Sequence, residues 1–226
     1  RRIEHTGVVP VVRAANTEQA FFACRALHAG GVDVLEITMT VPDAVSVIRE
    51  LVAQFKGDVL VGAGTVLDAD AARACIRAGA EFIVSPGFDP EIVRVAHQAE
   101  KPAIPGALTP SEIMAATRAG ADMVKLFPVS ALGGAKYLRA LRAPFEYVRF
   151  LPTGGVNAST ARDYIAAGAV ALGAGSELVD PQALLRGDSA LLAARARELI
   201  NEVRVARQEL ASGKSRPHSG AKQVLT

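Results

Sequence analysis

Short apolar runs alternate with longer amphipathic stretches along almost the whole chain. The apolar runs are rich in Val, Ile, Leu and Ala, which is typical of strands buried on both faces, whereas the longer stretches have the period of helices with one apolar side. The pattern predicts strands at 8–13, 33–38, 59–64, 82–85, 103–105, 122–127, 148–152 and 169–173. It predicts helices at 17–29, 42–55, 69–78, 89–99, 110–119, 134–142, 157–167 and 188–210.

A recurring segment marks the points where a helix ends and a strand begins. Four copies start at His28, Arg77, Arg118 and Ala166, separated by 49, 41 and 48 residues. Each copy carries a glycine that can adopt a positive φ and close the helix, followed by a buried strand.

The alternation of strands with helices predicts a parallel sheet. Eight such units favour an α/β fold of the (β/α)8 or TIM-barrel type, as a single domain over residues 1–210. An open doubly wound sheet is the alternative, less favoured because no dinucleotide-type glycine loop follows the first strand. Residues 211–226 are predicted to form a polar extension.

Composition and charge narrow the classes of partner. The formal net charge is only +2, and three basic residues lie in the 211–226 extension, so no nucleic-acid partner is expected. No apolar run reaches the ~18 residues of a membrane helix, and no signal peptide is recognised. Cys24 and Cys75 fall in predicted helices and are expected to be reduced, as in a cytoplasmic protein. The four histidines lack metal-ligand spacing, so neither a metal nor another cofactor is predicted.

One charged residue interrupts a strand that should be apolar throughout. Lys125 lies in the sixth predicted strand, within the run Asp-Met-Val-Lys-Leu-Phe-Pro. Burying an uncompensated ammonium is costly, and burial favours the neutral amine, which is the nucleophilic form. A neutral lysine can attack a carbonyl carbon and form an imine. A purely structural ion pair with Glu36 of the second strand is the alternative.

Polar residues and glycines end the other strands, and in a barrel these ends meet at one rim. Glu36 can move protons, Arg13 offers a fork for a carboxylate, and Thr65 adds a hydroxyl. Glycine turns after the seventh and eighth strands expose N–H groups that suit a phosphate, near a helix N-terminus. The predicted phosphate end consists of Gly154, Gly155, Gly175 and Ser176, with Thr153 at the end of the seventh strand, and Phe127 is expected to form an apolar wall beside Lys125. A local structural role is the alternative for each of these residues. Together they predict a site for a small phosphorylated 2-keto acid.

The strand-end motifs resemble those of the class I KDPG/KHG aldolases, which act on 2-keto-3-deoxy-6-phosphogluconate and 4-hydroxy-2-oxoglutarate. The motifs are V-V-P-V-V-R-A, L-E-I-T-M-T-V-P-D-A, V-G-A-G-T-V, I-V-S-P-G, V-K-L-F-P and P-T-G-G-V-N. They occur in order between about residue 8 and about residue 200. The resemblance implies a (β/α)8 barrel, usually a homotrimer, which cleaves an aldol to pyruvate and an aldehyde without a metal, as in the Entner–Doudoroff pathway.

The resemblance also implies roles for single residues. Lys125 would be the Schiff-base lysine and Glu36 the general acid and base. Arg13 and Thr65 would hold the pyruvyl carboxylate. Thr153 would lie near the substrate hydroxyls, and Pro86 would form the pocket wall together with Phe127. Some relatives have an arginine two residues after the threonine of the second-strand motif; this chain has Thr40 there. Carboxylate recognition would therefore fall more heavily on Arg13.

Four other functions are kept as alternatives. The substrate could be the galactonate epimer, 2-dehydro-3-deoxy-6-phosphogalactonate. The chain could be a phosphosugar isomerase or epimerase, in which Lys125 is only an anion clamp and Glu36 is the base. It could also be a non-catalytic barrel that binds phosphorylated ligands, or a metal-dependent aldolase.

Overall fold

Strands and helices alternate in the computed structural model, which describes residues 1–213. The strands are β1 (Val8–Val12), β2 (Val34–Thr38), β3 (Leu60–Gly64), β4 (Ile83–Val84), β5 (Ala103–Ile104), β6 (Gly106–Ala107), β7 (Val124–Leu126), β8 (Phe150–Pro152) and β9 (Leu172–Ala174). The helices are α1 (Arg2–Thr6), α2 (Thr17–Ala29), α3 (Ala44–Phe55), α4 (Ala69–Arg77), α5 (Pro90–Gln98), α6 (Pro110–Arg118), α7 (Ala135–Arg142), α8 (Ala158–Ala166), α9 (Pro181–Arg186) and α10 (Ser189–Ala211), with a 3-10 turn at Val129–Leu132.

The periodic pattern predicted most of these elements. All four recurring segments have a glycine with positive φ where the helix ends, namely Gly31, Gly79, Gly120 and Gly168. Four features were not predicted: the short helices α1 and α9, the 3-10 turn at Val129–Leu132, and the interruption of the fifth strand at Pro105, which separates β5 from β6. Proline has no N–H for the ladder, which accounts for the interruption. Residues 214–226 of the predicted extension lie outside the described residues.

Every strand pairing is parallel. Six strands form one sheet in the order β5-β4-β3-β2-β1-β9, and three form another in the order β6-β7-β8. An isolated bridge between Thr153 and Gly173 connects the end of β8 with β9. The molecule therefore has an α/β fold built on curled parallel sheet.

Apolar side chains pack on both faces of the strands, and alternation along each strand separates the two layers. The outer layer, which includes Val8, Leu35 and Ile83, packs against the helices. The inner layer is smaller and includes Val9 and Val34. Its full membership is Ile3, Val9, Val34, Phe82, Val84, Ile104, Met123, Leu151 and Ala171.

The inner layer lies toward the amino-terminal ends of the strands. Val34 is the first residue of β2 and Val9 the second of β1, and Ile3 of α1 packs into the same cluster. Because side chains alternate along a strand, Glu36 and Thr38 share the inner face with Val34 and lie successively closer to the carboxyl end. The apolar floor therefore gives way to polar groups further along β2.

Two further observations concern the chain as a whole. Within residues 1–213, none of the helices has both the length and the apolar character that crossing a membrane requires. Cys24 and Cys75 are both buried and free.

Candidate active site

A buried lysine and a buried glutamate meet between the two sheets. Lys125 of β7 donates a hydrogen bond from Nζ to Oε1 of Glu36 on β2, over 3.4 Å. The lysine side chain is 3% exposed and the glutamate side chain 0%. The lysine Nζ also lies 5.4 Å from the centre of the Phe127 ring, close enough for the ring face to attract a cation. The two chemically active groups predicted from the sequence are thus in direct contact.

Glycine on β3 makes room for this carboxylate. A Cβ atom at Gly64 would lie 1.9 Å from Glu36 Oε1, far inside any tolerable contact. A second glycine, Gly106 of β6, lies opposite Lys125 in the parallel pairing of β6 with β7. A Cβ atom at Gly106 would lie 2.1 Å from the Pro86 carbonyl oxygen. The Pro86 backbone therefore lies close against β6, the strand beside Lys125.

One oxygen of the glutamate is left available. Oε2 of Glu36 is buried and accepts no hydrogen bond from any of the described residues. A buried acceptor without a donor is costly, so such atoms in folded proteins usually face water or a ligand. A carboxylate oxygen in this position can take a proton from a hydroxyl group or a water molecule brought within reach.

The ends of β1 and β3 flank the glutamate strand. Arg13 follows β1 directly and is exposed, and its guanidinium forms no ion pair or hydrogen bond within residues 1–213. Thr65 follows β3 and is half-buried, with φ of 55°. Both side chains belong to loops at the carboxyl ends of neighbouring strands, and the order β3-β2-β1 places Glu36 on the strand between them.

Thr153 directly follows β8, the strand that pairs with the lysine strand β7. Its N–H donates to the Leu126 carbonyl and its own carbonyl accepts from Val129 N–H, each over 3.0 Å. A Cβ at Gly173 would lie 2.1 Å from Thr153 Oγ1, so the glycine of β9 makes room for this hydroxyl. The threonine is buried at 5% exposure.

Two glycines in left-handed backbone conformations follow Thr153. Gly154 and Gly155 have φ of 97° and 71°, which bends the chain sharply before α8. The side chain of Asn157 already accepts hydrogen bonds from the Ser159 and Thr160 amides at the start of α8. The Ser159 and Thr160 amides are thus already hydrogen bonded, and the N–H groups that could bind a ligand near Thr153 are those of the glycine loop. Ser176 is exposed beyond β9, with Gly175 before it.

Three groups were missed by sequence reasoning or not given a role. Gly64 and Gly173 admit the Glu36 and Thr153 side chains, and Thr38 hydrogen bonds to the end of β1. The glycines of the V-G-A-G-T motif were a usable signal, since a glycine within a strand often marks close approach by another group. The hydrogen bond of Thr38 depends on strand register, which the sequence does not contain.

A separate groove of about 340 Å³ lies between the start of α8, the loop after β9 and α10. Its charged lining includes Glu177, Glu198 and Arg195, and the arginine is already paired with Asp180. None of the predicted site residues lines this groove. Among residues 1–213, no group of three or more His, Cys, Asp or Glu side chains is arranged to hold a metal ion.

Comparison with known proteins gives a consistent result. The family model described as "Aldolase: KDPG and KHG aldolase" matches residues 1–194. The 2-dehydro-3-deoxy-phosphogluconate aldolase of Dickeya dadantii is 42% identical over 193 residues, which are 85% of this chain and 90% of that protein.

Two solved structures share the fold. A KDPG aldolase from Legionella pneumophila, with pyruvate captured as a covalent carbinolamine intermediate, has a TM-score of 0.81 and 33% identity, covering 88% of this chain and 96% of that one. A porous protein cage designed by fusing symmetric oligomeric domains has a TM-score of 0.84 and 27% identity, covering 92% of this chain and 76% of that one. These matches confirm the resemblance seen in the motifs: the chain belongs to the KDPG and KHG aldolase family, and it is accordingly a lyase of the aldolase type.

Proposed function

We propose that the protein is a class I aldolase that cleaves 2-dehydro-3-deoxy-6-phosphogluconate to pyruvate and glyceraldehyde 3-phosphate through an imine on Lys125. The observation that carries this proposal is the buried contact between Lys125 and Glu36, whose second carboxylate oxygen is free to accept. Proton transfer across that contact converts an ion pair into a neutral amine and a neutral acid.

The reaction then follows from the two groups. The C2 carbonyl of the substrate condenses with the neutral Lys125 amine and takes up the proton held by Glu36, which gives a protonated imine, releases water and leaves Glu36 as a carboxylate. Glu36 then takes the proton of the C4 hydroxyl, the C3–C4 bond breaks, and its electron pair moves to the imine to give an enamine. Glyceraldehyde 3-phosphate leaves and Glu36 gives the proton to C3. Hydrolysis of the resulting imine frees pyruvate and the amine and returns a proton to Glu36.

The remaining polar groups bind the two ends of the substrate. Arg13 and Thr65 hold the carboxylate, since a guanidinium can donate two parallel hydrogen bonds to it. Thr153 contacts the hydroxyl groups. Pro86 and Phe127 form the apolar wall on either side of the lysine. The phosphate binds to a set of backbone amides and one hydroxyl, from Gly154, Gly155, Gly175 and Ser176.

We further propose that the two sheets together form a complete (β/α)8 barrel over residues 1–210. In this arrangement β5 and β6 are the two halves of one strand around Pro105, and this strand lies between β4 on one side and β7 on the other. The bridge between Thr153 and Gly173 supports contact between β8 and β9 at the other junction. The barrel would place all the predicted site residues at one mouth.

The protein is also proposed to act as a homotrimer in the cytoplasm. The similarity to an oligomeric domain used in a designed cage supports association, and the free thiols of Cys24 and Cys75 suit a reducing compartment. No metal is needed in the proposed mechanism, because the protonated imine accepts the electron pair of the broken bond.

Borohydride trapping tests the mechanism directly. Treatment with pyruvate and borohydride should attach a reduced pyruvyl group to Lys125, identified by peptide mapping, and Lys125→Ala should lose both the adduct and cleavage. An unmodified Lys125, together with activity retained in Lys125→Ala, would refute the proposal. An isomerase or epimerase would give neither adduct nor bond cleavage, and a phosphate-binding barrel would give thermal protection without turnover.

Substrate preference requires a second assay. Pyruvate release should be compared for the gluconate and galactonate phosphates and for 4-hydroxy-2-oxoglutarate, which would yield pyruvate and glyoxylate. The proposal expects the gluconate epimer to have the highest kcat/KM, and a higher value for the galactonate epimer would reassign the substrate. The same assay with a chelator should show no loss of activity, whereas loss would favour a metal-dependent aldolase.

A further inference from the structure

A buried hydroxyl ties the end of the glutamate strand to the end of the arginine strand. Thr38 is the last residue of β2 and is 0% exposed. It lies on the inner face two residues beyond Glu36, about 7 Å further toward the mouth at ordinary strand rise. Its Oγ1 donates a hydrogen bond to the Val12 carbonyl oxygen over 2.9 Å.

A second hydroxyl completes the arrangement. Oγ1 of Thr40, an exposed residue of the following loop, lies 2.7 Å from Oγ1 of Thr38. A carbonyl oxygen can only accept, so the single hydroxyl proton of Thr38 is committed to Val12. Thr40 must then be the donor in the pair of hydroxyls. Its own proton is directed at Thr38 and is not offered to a substrate carboxylate.

The Val12 carbonyl belongs to the peptide that leads into Arg13. A peptide unit is planar, so fixing the direction of this C=O also fixes the direction of the Arg13 N–H and the position of the Arg13 Cα. The Arg13 side chain has no hydrogen bond or ion pair within residues 1–213, so no other polar contact of the described chain orients it.

We propose that Thr38 is a positioning residue that orients Arg13 toward the carboxylate of the keto acid. Thr40 assists by donating a hydrogen bond that holds the Thr38 hydroxyl in place. The inference rests on the proposed function, because it presupposes that Arg13 binds the pyruvyl carboxylate. It also explains how a threonine at position 40 contributes to carboxylate recognition without touching the carboxylate.

Kinetics in the direction of condensation separate this role from a structural one. Thr38→Val removes the hydroxyl but keeps the shape, and it should raise the KM for pyruvate about tenfold, the effect of one hydrogen bond, with kcat within about twofold. The KM for glyceraldehyde 3-phosphate should stay unchanged. Thr38→Ser should restore the wild-type KM for pyruvate. As a matched control, Thr117→Val removes a hydroxyl that donates to the Ile113 carbonyl in α6, over 2.7 Å, and should change neither KM.

A double-mutant cycle tests whether Thr38 acts through Arg13. In an Arg13→Ala background, Thr38→Val should cause no further rise in the KM for pyruvate, because the group being positioned is gone. Additive effects of the two substitutions, or equal effects on the KM of both substrates, would overturn the inference. Borohydride trapping of pyruvate on the wild type is measured alongside: failure there refutes the imine mechanism, whereas trapping with an unchanged KM in Thr38→Val refutes only the positioning role.

Discussion

At the scale of single residues, Gly64 decides whether the Glu36 carboxylate fits. Its φ is compatible with any residue, so alanine meets no backbone strain there, but the added Cβ would lie 1.9 Å from Glu36 Oε1. We predict that Gly64→Ala displaces the carboxylate and lowers kcat by about a hundredfold, since misplacement by about 1 Å can cost that much. Steady-state cleavage kinetics measure the effect.

The control for this substitution is Gly87→Ala. Gly87 is exposed, and a Cβ there would meet nothing within 4 Å, so both kcat and the melting temperature should remain at wild-type values. A Gly64→Ala protein that keeps its full kcat would show that Glu36 is not held where the structure has it.

Cys24 should make the fold sensitive to alkali. Burial raises the pKa of its thiol from 9.0 to about 12. Above the unfolded pKa the unfolded chain releases a proton that the folded chain retains, so stability is complete below pH 9 and falls as the pH rises toward 12. We predict that the free energy of unfolding of Cys24→Ala, measured with urea across this pH range, falls less steeply with pH than that of the wild type. The difference in slope should be up to about 1.4 kcal/mol per pH unit.

Cys75 provides the comparison for that measurement. Burial raises its pKa only to about 11, so Cys75→Ala should flatten the decline over a narrower range of pH, from 9 to about 11. Identical pH dependence in the wild type and both variants would mean that the thiols are not buried in the folded protein.

At the scale of whole elements, the guanidinium of Arg207 holds α1 against α10 and the approach to β9. It donates to the His5 and Glu4 carbonyls over 2.9 and 2.6 Å, and to the Val170 carbonyl over 2.9 Å. A lysine keeps the charge but lacks the planar fork. We predict that Arg207→Lys lowers the free energy of unfolding by about 1–3 kcal/mol, because hydrogen bonds from charged groups are lost.

Arg204 is the matched position on the same helix; it is exposed and, among residues 1–213, its side chain is hydrogen bonded only to Asn201. Arg204→Lys should leave urea unfolding within about 0.5 kcal/mol of wild type. Equal destabilisation by the two substitutions would show that α1 is not anchored through Arg207.

At the scale of the whole molecule, the proposed homotrimer has a definite mass. Sedimentation equilibrium should give three times the 23.6 kDa of one chain, and the melting temperature should rise with protein concentration, because association stabilises the folded state. A single-chain mass at all concentrations, with an invariant melting temperature, would contradict the trimer.

The sequence predicted the elements far better than their contacts. Each strand predicted from the alternation of apolar runs and helical patterns is present in the structure, because a strand buried on both faces is almost wholly apolar in sequence. Lys125 and Glu36 could be paired from the sequence, because a buried lysine needs a partner. The packing of Ile3 under the strands and the bond from Thr38 to Val12 could not be predicted, because both depend on which strands become neighbours and in which register.

The glycines inside the strands have a consequence for redesign. At Gly62, Gly64, Gly106 and Gly173, an added methyl group would collide with Phe82, Glu36, Pro86 or Thr153. None of these four glycines can therefore be replaced by a larger residue without displacing a group near the Lys125 amine or the Glu36 carboxylate. The rim residues Arg13 and Thr40 are exposed and carry no such restriction. A library of variants that seeks new aldehyde or keto-acid substrates should therefore sample the rim and leave the strands untouched.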